Sequence, residues 1–133
     1  TRHFENIKTI PAIGKETALM LLHHLMAKPF QTANKFISFA GLSPKIEQSG
    51  TSVDRKRKNK YGHKKLKQSL FMPALVAFRM GAFPQFVKNL QESGKPKMVI
   101  IVAIMRKLAK LAYYIFKSGR PYDKSRHQAA SHN

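Results

Sequence analysis

Residues Ile7–Leu25 read IKTIPAIGKETALMLLHHL. The stretch divides at Pro11-Ala12-Ile13-Gly14. Pro there removes a backbone donor, and Gly permits a tight turn. Upstream, Phe4, Ile7 and Ile10 recur at i, i+3 and i+6, the spacing of one face of a short helix. Downstream, Ala18, Leu19, Leu21, Leu22, Leu25 and Met26 form an amphipathic stripe. They predict a helix over Lys15–Ala27, ended by Pro29. Two helices joined by a tight turn set the expectation of an all-α fold.

Outward from this pair the helical period continues. Gln31 to Ala40 reads as a third, short helix with Phe36, Ile37 and Ala40 inward and Gly41 as its stop. A longer helix is expected from about Gly62 to Met80, with Leu66, Leu70, Phe71, Leu75 and Phe78 on one face and a kink at Pro73. A short helix from about Phe83 to Ser93 closes at Gly94. The last runs from about Pro96 to Ser118 under a Gly119 cap. Its core stripe is Ile101, Ile104, Met105, Leu108, Leu111 and Ile115, with Arg106, Lys110 and Lys117 together on another face. Residues 41–60 break the period. They hold Gly, Ser, Pro, Thr, Asp and a basic run, and read as a long loop with room for a small β-hairpin around Ser49-Gly50. A loop of that length in a compact domain is usually functional or disordered. The polar tail from Arg120 is expected to fray. The resulting division is one domain over 1–133: a two-helix hairpin over 1–28, the loop over 41–60, a helical core over 61–119 and a flexible tail over 120–133.

Length and hydropathy allow one globular domain: 133 residues, 43% hydrophobic. The charge is one-sided. Lys and Arg number 25 against 6 Asp and Glu, and 25 − 6 gives +19. That self-repulsion calls for a polyanion, and nucleic acid is the first candidate because phosphate neutralisation releases counterions. The absence of Cys excludes disulfides, thiolate metal sites and thiol catalysis. The longest apolar run, Met98 to Met105, is far below the roughly 20 residues that span a bilayer. The chain opens at Thr1 directly into helix-like sequence and is read as a fragment of something longer.

Three features carry chemistry. Ile10–Ala18 resembles the helix-hairpin-helix motif of DNA-binding proteins. In that motif the N-terminus of the second helix holds a phosphate on backbone N–H groups without reading sequence. Gly14, Lys15 and Thr17 are its candidate contacts. The motif usually has Gly where this chain has Ala12, which predicts a stiffer turn. The alternative is a plain corner in which Gly14 packs closely. The second feature is the basic run of Arg55, Lys56, Arg57, Lys58, Lys60, Lys64, Lys65 and Lys67. With His63 it is read as a nucleic-acid contact, against the alternative of a solvated charged face. The third is serine: Ser43, Ser49 and Ser52 lie in the loop. A serine hydroxyl beside cations and a metal can attack phosphorus, but spacing alone does not distinguish the three, and a loop serine is far more often a turn residue. The acids Glu5, Glu16, Glu47, Asp54, Glu92 and Asp123 are scattered, and His23 and His24 point to different faces of one helix. No metal site is expected in this chain.

Four segments together resemble one family. IKTIPAIGKETALMLLHHL, FQTANKFISFAGLSPKIEQSG, RKNKYGHKKLKQSL and AIMRKLAKLAYYIFKSGRPYD fall in the order of the C-terminal transposase domain of the insertion-sequence 110/1111 family. Each motif is weak alone, and their order and spacing make the set specific. The chain departs from the pattern at His63, Lys67 and Gln48. The resemblance implies a recombinase guided by a bridge RNA, with a RuvC-like N-terminal domain whose acidic cluster binds Mg²⁺. That domain is absent from this chain. The resemblance also implies that a serine nucleophile in the Ser-Gly loop maps onto Ser49, with Gly50 admitting the scissile phosphate. On this reading the chain binds nucleic acid and is inactive alone. Its partners are DNA, a guide RNA and further copies in the full-length protein, with no membrane, in the bacterial cytoplasm at the nucleoid. The apolar Met98–Met105 stretch is open to burial between copies. The competing readings are a non-catalytic helix-hairpin-helix module that only grips DNA or RNA, and a basic domain docking on an anionic membrane or acidic partner.

Overall fold

The computed structural model describes residues 1–43 and 63–126, His63 by its backbone alone. The described residues are helical, with no strand among them. The helices bounded within the described residues are α1 (Arg2–Lys8), α2 (Lys15–Ala27), α3 (Ala33–Phe39), α4 (His63–Met80), α5 (Pro84–Glu92) and α6 (Lys97–Ser118). The all-α expectation holds, and the helix limits agree to within about two residues.

The central element is α6. It buries Ile100, Ile101, Ile104, Met105, Leu108, Leu111 and Ile115, and α1, α2, α3, α4 and α5 all pack on it. Each fully buried Leu or Ile contributes about 1.5–3 kcal/mol, so this stripe dominates the core. The α4–α6 contact is the most extensive. Ala74 and Ala77 of α4 and Ala109 and Ala112 of α6 are buried, and such small side chains let helices approach closely. The Met98–Met105 stretch is therefore mostly claimed by the chain's own core, and only Met98 and Val99 stay exposed.

The stops are built by glycine. Gly41 and Gly81 take positive φ of 76° and 69°. In each case the following residue donates back across the helix end, Leu42 N–H to the Ile37 carbonyl and Ala82 N–H to the Ala77 carbonyl, both at 3.0 Å. This satisfies carbonyls a helix would otherwise leave open. Past Gly81, Pro84 opens α5, which leaves at 89° to α4.

Two expectations need correction. Leu19 and Met26 do not face inward, being 48% and 67% exposed. Ala18, Leu21, Leu22 and Leu25 define the buried line of α2, and at about 100° per residue Leu19 and Met26 fall roughly 90–110° from it. Pro73 lies inside α4, as its place in the sequence implies, and is buried. The tail does not fray at Arg120. The Tyr122 N–H donates to Thr9 Oγ1 at 2.8 Å, and Tyr122 packs against the core, which fastens this segment to the end of α1.

Candidate nucleic-acid interface

The turn between α1 and α2 is set by buried anchors. Ile10 and Ile13 are buried, and the Ile13 N–H donates to the Ile10 carbonyl at 3.1 Å. Pro11 takes the second position and Ala12 the third, with φ of +70°. Proline followed by positive φ is the type II turn, which favours glycine at the third position. Ala12 thus adopts the backbone that glycine prefers, and the two isoleucines hold it there.

Gly14 then opens α2 in an extended conformation, and no side chain caps the helix. The first intrahelical bond runs from the Ala18 N–H to the Gly14 carbonyl at 2.9 Å. The Lys15, Glu16 and Thr17 N–H groups precede it, at the positive end of the helix. A Cβ on Gly14 would meet nothing within 4 Å. The close-packing alternative for Gly14 therefore fails, and the space over the turn is open. Gly14 and Lys15 are exposed.

Thr17 connects this end to α4. Its hydroxyl donates to the Ser69 carbonyl at 3.1 Å, so the proton of that hydroxyl serves helix packing. The bond brings the start of α2 beside the start of α4, where Lys64, Lys65 and Lys67 are exposed. Lys65 and Glu16 share the rim of an open depression of about 520 Å³ lined also by Leu19, Met20, His23 and His24. Burial, with His23 beside it, holds His24 below the usual imidazole range. The His24 ring packs on Phe39 with centroids 5.4 Å apart.

Of the sequence-derived site residues, the structure bonds Thr17 to α4, the helix whose first turns carry Lys64, Lys65 and Lys67, and leaves Gly14 and Lys15 exposed at the start of α2. Ser49, Gly50, Ser52, Arg55, Lys56, Arg57, Lys58 and Lys60 lie outside the described residues, as does the His63 side chain. Ser43, half-buried, follows Leu42 at the end of α3. No group of three or more His, Asp or Glu among the described residues is placed to hold a metal ion.

Two polar residues were missed in sequence. Lys107 is buried at 6% exposure, its ammonium 5.2 Å from the Phe83 ring centroid and 4.8 Å from that of Phe86. Desolvation, and then the charge of Lys110, lower its pKa from 10.5 to about 8. The signal was present: Lys107 falls at i+3 from Ile104 and four before Leu111, on the apolar side of α6. Tyr113 is buried, and its hydroxyl donates to the Phe30 carbonyl at 3.0 Å, a bond spanning 83 residues with no local signal.

These features define a basic, all-helical domain whose surface joins a bare helix start to a lysine-bearing second helix. Residues 4–90 match the Transposase IS116/IS110/IS902 family, and the chain belongs to that family. It is 43% identical over 129 residues to a pilin gene-inverting protein of Moraxella bovis, covering 92% of this chain and 39% of the relative. A pilin gene-inverting protein of Moraxella lacunata is 42% identical over 130 residues, with the same coverage. An uncharacterized 43.6 kDa protein of insertion element IS110 from Streptomyces coelicolor is 24% identical over 119 residues, 88% of this chain and 29% of the relative. The chain thus spans about two fifths of the length of its Moraxella relatives.

Proposed function

We propose that this chain is the C-terminal domain of a transposase or DNA invertase, gripping DNA and bearing a serine nucleophile for strand exchange. The observation that carries the grip is the Thr17–Ser69 bond. It sets an uncapped helix N-terminus against a run of exposed lysines in a chain of the transposase family. A helix start offers backbone N–H groups to one phosphate, and lysines offer point charges to its neighbours. The basic run Arg55–Lys60 continues the same charge in sequence.

The nucleophile is assigned to Ser49 by family resemblance. Its Oγ would bond to phosphorus as the bridging P–O bond to one sugar breaks. The serine proton is lost, the sugar leaves as a hydroxyl, and a phosphoserine link retains the bond energy for rejoining. The described residues do not fit a metal site, so no step is routed through a metal within them. Mg²⁺ is assigned to the acidic cluster of the N-terminal RuvC-like domain of the full-length protein, and a guide RNA and further copies are its proposed partners. The chain alone is then a binder without strand-cleaving activity.

Covalent trapping tests this reading. The full-length protein, guide RNA, Mg²⁺ and a labelled donor junction are resolved on a denaturing gel, with wild type and Ser49→Ala. An adduct present in wild type and lost in the variant is expected. An adduct kept in the variant moves the nucleophile elsewhere. Absence of any adduct with DNA binding intact favours a grip without chemistry.

A further inference from the structure

The depression beside the start of α2 is not needed to bind a phosphate. Its floor is apolar: Leu19 is 48% exposed, and Met20 is partly buried against the core. Its wall is aromatic. The His23 and His24 rings meet edge to face with centroids 5.1 Å apart, and His24 continues onto Phe39. Its rim carries one acceptor, Glu16, and one donor, Lys65. Neither is ion-paired among the described residues. A half-exposed Leu at the edge of an aromatic step is apolar surface that water covers at a cost.

We propose that this depression receives an unpaired nucleobase of the bound DNA. The inference rests on the reading that α2 and α4 hold the DNA backbone. Charge complementarity selects the occupant, because a +19 chain with Lys65 on the rim attracts a polyanion, while the cleft beneath wants a flat apolar face. A nucleobase supplies both, since it is tethered to phosphate and stacks on aromatic or apolar side chains without regard to sequence. The volume of about 520 Å³ exceeds what one base needs and leaves the site open to a strand passing through. Around the plane of the base, Glu16 can accept from an exocyclic amino group and Lys65 can donate to a ring nitrogen or carbonyl. A base inside a duplex keeps its faces stacked on its neighbours, so a site that stacks on a base face selects DNA whose stacking is already broken, at a junction or nick.

The test uses the 133-residue chain and two DNAs that differ only in whether a 2-aminopurine is paired or bulged. The bulged DNA is expected to bind about tenfold more tightly, with the fluorescence of the 2-aminopurine quenched by stacking. In Leu19→Ser and His23→Ala the bulged-to-paired affinity ratio is expected to fall to about one. Both positions are exposed, and circular dichroism verifies that the helices persist. Equal affinity for the two DNAs in wild type overturns the base site and leaves the backbone grip standing. A preference that survives both substitutions places the base elsewhere and also overturns it. Failure to bind either DNA removes the grip and the base site together.

Discussion

The Arg106 Nε–H donates to the Leu42 carbonyl at 2.8 Å, linking the middle of α6 to the residue that closes α3. Leu42 stands near the end of the described residues 1–43, so the bond ties that end of the described chain to the most buried helix of the domain. A charge-assisted bond to a part-buried carbonyl contributes about 1.5–3 kcal/mol. Arg106→Ala is expected to lower the unfolding free energy by about that amount in urea titration. Arg106→Lys should recover less than half, because an ammonium lacks the planar Nε–H. A loss below a few tenths of a kcal/mol in Arg106→Ala would show that the end of α3 is held by other contacts.

Ala12 occupies a position meant for glycine. An L-residue in the left-handed region costs about 1–2 kcal/mol, partly offset by the greater unfolded freedom of glycine. Ala12→Gly is therefore expected to stabilise the chain by about 0.5–1 kcal/mol, a rise of a few degrees in Tm by calorimetry. An unchanged or lower Tm would mean that the turn gains more from alanine's restricted backbone than it loses at φ +70°.

Lys107 makes stability depend on alkaline pH. Its folded pKa is about 8 against 10.5 for the free group. Below pH 8 both states carry the proton, and the folded state bears the cost of a desolvated ammonium. Between pH 8 and 10.5 the unfolded chain holds a proton the folded chain has released, so stability rises with pH. The full change is about 3 kcal/mol, from roughly 1.4 kcal/mol per pKa unit. Lys107→Met is expected to raise stability at pH 7 and to flatten the rise above pH 8, read from urea midpoints across pH. A destabilised variant at pH 7 would show that the Phe83 and Phe86 rings stabilise the cation more than burial costs it.

The lysines of α4 are expected to act through phosphates. Each lysine that neutralises one phosphate contributes about 0.9 to the slope of log K against log salt. Lys64→Gln and Lys67→Gln should each reduce the slope by about that much and weaken binding to all duplex sequences alike. An unchanged slope in both variants would place the DNA away from the α2–α4 pair.

The helices were legible because their apolar residues recur at helical spacing, and their ends because Gly41, Gly94 and Gly119 stand where the period stops. Side-chain direction at the margin of a stripe was not. Leu19 and Met26 are apolar and adjacent to buried residues, yet whether they face core or solvent depends on where α4 and α6 lie against α2. Tyr122 reads as part of a polar tail, and only the return of the chain past Thr9 gives it a partner.

The site divides in the same way. The turn before α2 was readable because its chemistry is local: Pro, a positive-φ position and an uncapped helix start lie within five consecutive residues. By itself the sequence determined the class of fold, the strong positive charge and the location of the turn, since each depends on composition or on neighbours along the chain. Only the tertiary structure decided that Thr17 bonds to Ser69, that Lys65 and Glu16 line one open depression and that Lys107 is buried. Those relations join residues far apart in the chain, and the packing of every helix on α6 brings them together.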